Sequence, residues 1–354
     1  MIRSYYVEGY KGLKSVSLSD LSRINLIVGQ SSSGKTALLE SIKIGLSGNP
    51  GVMWNTSTAR GGIQFLPAGS NSQQFESSWR QFFSDFDSHG LMRFWMKDDA
   101  DRNAMTTAFF DRDQVLNTAL QSGSGSVEFI SFNPLVFDRT SFTGENSRLT
   151  VKLEPSMGLQ FDQGPELGIP SEVLPSSGSP NIIQIANWFS ALSIEDKEHD
   201  IISTVCEAFP TISGLSVQSP QGYAQLYATL KSINRKLPIT SISSGITKFV
   251  SIILAMTVYQ GGVLIIDEIE NGIYYKSFPT MWKTILEYSA KTNTQVFAST
   301  HSWECLSAAA SEFDHSPEVY SLLQVSNRNG ETIVSSVTGF DATNAIEGNI
   351  EVRR

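Results

Sequence analysis

The 354 residues hold 26 Lys and Arg against 35 Asp and Glu, a formal net charge of −9, with 40% hydrophobic and 17% charged residues. That balance excludes wholesale disorder and an evenly basic nucleic-acid-binding surface, so any DNA contact is confined to a local groove. Cys206 and Cys305 alone, with four scattered histidines, exclude a disulfide framework and a zinc site built on paired cysteines.

The opening MIRSYYVEGYKG has no apolar leader, and the longest apolar run, 249–266, is broken by Gln260, Gly261 and Gly262. A cytoplasmic protein without membrane spans is expected. Residues 2–7 and 16–18 read as short strands leading to the buried run INLIV at 24–28. A Gly-rich loop follows, then a helix over 36–46 with Leu38, Ile42 and Leu46 on its inward face, punctuated by Gly48 and Pro50.

From 51 to 235 the pattern is irregular and reads as a β subdomain and insertion. Phe75, Trp79, Phe82, Phe83 and Phe86 recur at helical spacing as a core stripe, and 91–97, 105–110 and 127–132 read as antiparallel strands separated by turns such as QSGSGS. The evenly spaced Pro165, Pro170, Pro175 and Pro180 predict an extended surface loop. Helices are expected over 182–192 and 201–209, with 215–217 and 224–230 as edge strands returning to the main sheet. The fold class is therefore α/β, with 1–50 and 236–340 forming one unit interrupted by 51–235 and followed by a short tail, 341–354.

Gly29-Gln30-Ser31-Ser32-Ser33-Gly34-Lys35-Thr36 satisfies GxxxxGK[ST] in its required place, after a buried strand and opening a helix. The glycines let successive N–H groups face phosphates, Lys35 reaches the β and γ oxygens, and Thr36 can ligate Mg²⁺. VLIIDE at 263–268 is a buried strand ending in two carboxylates: Asp267 is suited to the Mg²⁺ shell and Glu268 to polarising a water. QVFASTH at 295–301 is a second buried strand with a polar tip, and His301 should fall on the same sheet edge, where it could sense a γ-phosphate. ISSG at 242–245, taken alone, is only a helix start.

The order of phosphate loop, long insertion, SSG, DE and a strand ending in His resembles the ABC-type ATPase heads of the RecF, Rad50 and SMC group. It is closer still to the AAA15 or OLD-like branch used in bacterial anti-phage defence. The N-terminal IRSYYVEGYKGLKSVSLSDLSRINLIVGQSSSGKTALLESI carries that likeness, as do the C-terminal LPITSISSGITKF, GGVLIIDEIENGIYY and QVFASTHSWECLSA. The resemblance implies that Ser243 and Gly245 form a degenerate signature motif contacting the γ-phosphate held by a second subunit, that Glu268 is the catalytic base and that His301 is the switch histidine. Glu270 and Asn271 would communicate across the dimer. ISSG departs from the LSGGQ-like form. No glutamine can be assigned to the usual Q-loop: 129–137 has none, and Gln64, Gln160 and Gln163 sit in contexts that do not align.

The resemblance further implies ATP and Mg²⁺ sandwiched between heads of a homodimer or higher homo-oligomer. RecF, Rad50 and SMC relatives act on DNA, but the insertion shows no heptads for a coiled coil. OLD-type proteins append a nuclease, whereas only VTGFDATNAIEGNIEVRR follows the last hairpin, which leads the reading to expect the second activity on another polypeptide. The leading expectation is a regulatory ATPase that controls a separate effector, of nuclease type, as in the PARIS or Septu systems. The alternative is a RecF-like clamp on duplex DNA, with ATP-requiring and strongly salt-dependent binding.

Overall fold

A computed structural model describes residues 1–58, 66, 70–121, 127–154, 158–176, 181–233 and 235–348. The chain begins with β1 (Ile2–Tyr10), β2 (Leu13–Leu18) and β3 (Ile24–Val28), then α1 (Lys35–Ser47), α2 (Pro50–Thr58) and α3 (Ser72–Arg80). A long β region follows: β4 (Met92–Asp98), β5 (Asn103–Phe110), β6 (Leu116–Gln121), β7 (Val127–Phe132), β8 (Leu135–Thr140), β9 (Asn146–Glu154), β10 (Gly158–Phe161) and β11 (Ser171–Leu174). Helices α4 (Ile182–Ile194) and α5 (Glu198–Ala208) lead to β12 (Ile212–Gln218), β13 (Gln225–Leu230) and β14 (Arg235–Pro238). The C-terminal part runs α6 (Ile239–Ile242), α7 (Ser244–Val258), β15 (Val263–Ile266), α8 (Phe278–Lys291), β16 (Gln295–Ser299), α9 (Trp303–Phe313), β17 (Tyr320–Arg328), β18 (Glu331–Thr338) and α10 (Gly339–Glu347).

Two large sheets organise these elements. The order β11-β15-β16-β3-β17-β18 is parallel except for the final hairpin, whereas β10-β9-β8-β5-β4-β1-β2 is antiparallel throughout. Because side chains alternate across a strand, Ile24, Leu26 and Val28 of β3 join one core cluster with Leu264, Ile266, Val296, Ala298 and α7 to α9. Ile27, Val263, Ile265 and Phe297 point the other way, onto α1 and the antiparallel sheet. With both faces covered, β3, β15 and β16 are mostly apolar, and Asn25 and Gln295 within them are buried and hydrogen-bonded. The layers are thus helices, parallel sheet, α1, antiparallel sheet. This is the α/β head with an antiparallel β part that the sequence implies.

Helix α1 starts one residue earlier than expected, at Lys35, and stops where expected: Gly48 takes φ 57° and its N–H donates to Ile44 O at 2.8 Å. Leu38, Ile42 and Leu46 are all buried. Pro50 opens α2, whose first turn needs no proline N–H.

Three expectations need correcting. First, 215–217 and 224–230 do not return to the main sheet; they lie in β12 and β13, which with β14 form a separate three-stranded antiparallel sheet packed by Leu215, Leu226 and Ala228. Second, the proline-rich segment is not all surface loop. Between Pro170 and Pro175 it supplies β11, which pairs in parallel with β15 from Ser171↔Val263 to Leu174↔Ile266, and Leu167 and Leu174 are buried. Pro180 and the turn residues 122–126 lie outside the described residues. Third, Phe86 leaves the aromatic stripe: Phe75, Trp79, Phe82 and Phe83 are buried, but Phe86 is 70% exposed, because Asp85 and Phe86 both take positive φ and end the helical periodicity. Among the described residues no helix is long and apolar enough to cross a membrane.

Candidate nucleotide site at the carboxyl edge of the parallel sheet

The phosphate-loop sequence forms a tight loop between β3 and α1. Gly29 has φ 151°, Ser32 φ 62° and Gly34, the residue before α1, φ 108°. Conformation is not the only demand for glycine. A Cβ at residue 29 would stand 2.0 Å from Val325 O and one at residue 34 would stand 2.7 Å from Thr332 Oγ1, so the β17–β18 hairpin lies directly on the loop.

Lys35, 5% exposed, donates from Nζ to Gly29 O at 2.9 Å and Gln30 O at 2.8 Å. Burial lowers its pKa, against the opposing fields of Asp267, Glu268 and Glu270. Gln30, Ser31 and Ser32 are exposed and Thr36 is half-buried, whereas Ser33 is buried with its Oγ unpartnered.

Strand register brings the other candidates to the same edge. Ile266 pairs with Ala298, and Ser299 pairs with Ile27, so Asp267, Ser299 and Gly29 follow one another across three adjacent parallel strands. The buried Ser299 donates from Oγ to Asp267 Oδ1 at 2.6 Å and accepts the Glu268 N–H at 2.8 Å. Glu268 itself adopts φ 46°, in the left-handed region that side chains other than glycine seldom occupy. Its Oε2 accepts from Asn271 Nδ2, and its Oε1 lies 3.9 Å from His301 Nε2. The His301 N–H in turn donates to Glu270 Oε1 at 2.7 Å, leaving Glu270 Oε2 buried without a partner.

Ser243 and Gly245 stand at the start of α7. The Ser243 carbonyl accepts from Thr247 N–H and Oγ1, and its side chain makes no capping bond. Gly245 is packed against Gly272: a Cβ there would be 2.4 Å from Gly272 O. The structure therefore joins Lys35, Asp267, Glu268 and His301 at one edge, and joins the start of α7 to the turn that follows the acidic pair.

Two residues of this arrangement were not singled out in the sequence, Ser299 and Lys248. Lys248 is 7% exposed and donates from Nζ to Asp267 O at 3.3 Å and to Glu268 O. Burial pushes its ammonium down to about 8, although Glu270, Asp267 and Glu268 all pull the other way. The available signal was a lysine heading the apolar run FVSIILAM, where a charge needs a buried acceptor. Of the glutamines considered for a Q-loop, Gln160 lies in β10, Gln163 accepts from Asn49 Nδ2 at 3.5 Å, and Gln64 lies outside the described residues.

Residues 182–306 match the family model of the AAA ATPase domain, a span that includes α7, both acidic residues and His301. The chain is 22% identical, over 92% of its length and 93% of the relative's, to a protein of Helicobacter pylori (strain ATCC 700392 / 26695) described as an ATP/GTP phosphatase. Among solved structures it is similar to an SMC head bound to the C-terminal winged-helix domain of ScpA, with TM-score 0.51 and 13% identity over 95% of this chain and 98% of that one. It is also similar to the SMC head domain from Thermotoga maritima, with TM-score 0.48 and 12% identity over 95% and 98%. At 13% identity the first structure shows a shared fold alone, and the family model spans residues 182–306 only.

Proposed function

We propose that the chain binds ATP with Mg²⁺ on the loop 29–36, closes over it with a second copy, hydrolyses it, and through this cycle controls a separate effector of nuclease type in anti-phage defence in the cytoplasm. The observation that carries the chemistry is the juxtaposition of Lys35, at the start of α1, with Asp267, Glu268 and His301, which follow the adjacent parallel strands β15 and β16.

The residues suit the ligand. The loop offers N–H groups at the start of α1 and a buried, unpartnered Ser33 Oγ, and Lys35 is held by carbonyls that a phosphate could replace. Among the described residues no group of three or more His, Cys, Asp and Glu could hold a metal alone. That suits Mg²⁺, which takes one or two protein oxygens, here Thr36 Oγ1 and Asp267, and completes its shell with phosphates and water. Once bound, the ion would neutralise charge developing on the phosphate oxygens.

Glu268 accepts a proton from water as the water oxygen bonds to the γ-phosphorus. The bond from that phosphorus to the β,γ-bridging oxygen breaks, releasing ADP and phosphate. Asn271 orients the Glu268 carboxylate through Oε2, and His301 faces its other oxygen, Oε1. Ser243 and Gly245 at the start of α7 are the residues to meet the γ-phosphate held by the opposing copy, with Ser243 half-buried and Gly245 buried against Gly272.

Control of an effector is supported by the resemblance to defence ATPases and by the precedent of an SMC head of this fold carrying a separate winged-helix protein. The net charge of −9 makes it the better reading than a DNA clamp. The test is native mass spectrometry of the Glu268→Gln protein recovered from its host with ATP. A stoichiometric second protein supports effector control, whereas a homo-oligomer carrying only nucleic acid would replace it with the clamp.

A further inference from the structure

We infer that Lys248 is a positioning residue for Glu268, tying the orientation of the catalytic carboxylate to helix α7. The inference rests on the reading of Glu268 as the base.

Both sides of the Glu268 backbone are held by buried side chains from different elements. Its N–H donates to Ser299 Oγ of β16 at 2.8 Å, and its carbonyl accepts from Lys248 Nζ of α7. The same ammonium donates to Asp267 O at 3.3 Å, so it spans the two carbonyls of the acidic pair. Between these ties Glu268 keeps φ 46°, a conformation that persists only where the surroundings over-determine it.

Lys248 is an expensive choice for so modest a structural task. A buried ammonium needs strong acceptors, and an apolar side chain would fill the same core position without that cost. What the lysine adds is a directed link from α7 to one peptide. A second contact reinforces it: three residues earlier in the same helix, Gly245 lies so close to Gly272 that a Cβ would stand 2.4 Å from the Gly272 carbonyl oxygen. Helix α7 therefore grips the 267–272 turn at both ends, and displacement of its first turn is passed to the carboxylate through the Lys248 bonds.

The experiment compares ATP affinity, kcat and thermal stability for wild type, Lys248→Met, Glu268→Gln and the double variant, all as full chains. Lys248→Met should lower kcat by about 10- to 100-fold, the order that misplacing a reacting group costs, with ATP Kd kept within about 3-fold. The double variant should be no slower than Glu268→Gln, because both changes disable one device. Wild-type kcat in Lys248→Met beside a slow Glu268→Gln, or losses that multiply in the double variant, would overturn the inference alone. Wild-type turnover in Glu268→Gln would remove the base assignment and the inference with it. If the methionine variant does not fold, Lys248→Gln, which keeps a donor of shorter reach, is judged by the same two criteria.

Discussion

Glu268 Oε1 lies 3.9 Å from His301 Nε2, although the two residues come from the tips of different strands and are 33 positions apart in sequence. Both side chains are 36% exposed, so the pair faces solvent at the sheet edge and is open to a water and a phosphate. Replacing Glu268 by Gln keeps the shape and removes the proposed base. Turnover should fall by about 10²- to 10⁴-fold with ATP binding kept. Steady-state phosphate release beside equilibrium binding checks this, and equal turnover in the two proteins would eliminate the assigned base.

His301→Ala should lower kcat while ATP affinity and melting temperature stay near wild type. The side chain is partly exposed, and the bond from the His301 N–H to Glu270 belongs to the backbone and survives the change. A large fall in melting temperature with unchanged kcat would mark the histidine as purely structural.

Lys35→Ala removes the one ammonium that the loop itself holds, through Gly29 O and Gln30 O. ATP affinity should fall at least about 100-fold, because a buried cation facing a polyphosphate has no substitute in alanine. Titration with a fluorescent ATP analogue measures it, and near-normal affinity would mean that the loop is not the nucleotide site.

The head was legible where the chemistry is local. Gly29 to Thr36 and the run ending in Asp267 and Glu268 are continuous in sequence, and apolar runs with polar tips say which end of a strand carries function. Partner choice was not legible. Strand β11 contributes only Val173 and Leu174 as apolar residues, because an edge strand has one neighbour, and its flanking prolines suggest a loop. Strands β12 and β13 alternate like any half-buried hairpin, and nothing local says that they pair with β14 instead of the main sheet. Lys248 and Ser299 stayed hidden for a related reason. Their partners lie 19 and 20, and 31 and 32, residues away, and only the packing of α7 and the parallel register of β15 and β16 bring them together.

A pH effect is expected at Glu76 of α3. Glu76 accepts from both Arg112 terminal nitrogens, at 2.7 and 2.8 Å, and also from Ser88 Oγ. The Arg112 hydrogen bonds hold its carboxyl down to about 2, against an ordinary 4.5, despite partial burial. The folded state therefore binds fewer protons than the unfolded state between those values, and stability falls as pH drops through the window. The contribution is complete above about 4.5 and gone below about 2. Glu76→Gln should melt lower than wild type at neutral pH and converge on it as the pH is taken toward 2. A difference in melting temperature that does not change with pH would show that the ion pair adds nothing.

Gly245→Ala tests whether α7 and the acidic turn behave as one unit. The added methyl would stand 2.4 Å from Gly272 O and 3.1 Å from Ile273 Cα, both backbone atoms, so no side chain can swing aside to admit it. Either the start of α7 or the 270–273 turn has to shift, at a cost of roughly 1–3 kcal/mol by the measure of other overpacked sites. The helical conformation itself tolerates alanine, which even favours helix, so the loss is steric and not one of backbone freedom. Because Asn271 holds the Glu268 carboxylate from within that turn, the shift should lower both melting temperature and kcat while leaving Lys35 and its loop able to bind ATP. Calorimetry and single-turnover hydrolysis on the same preparation separate the two effects. A variant that loses stability but hydrolyses ATP at the wild-type rate would show that movement at Gly245 stops short of Glu268.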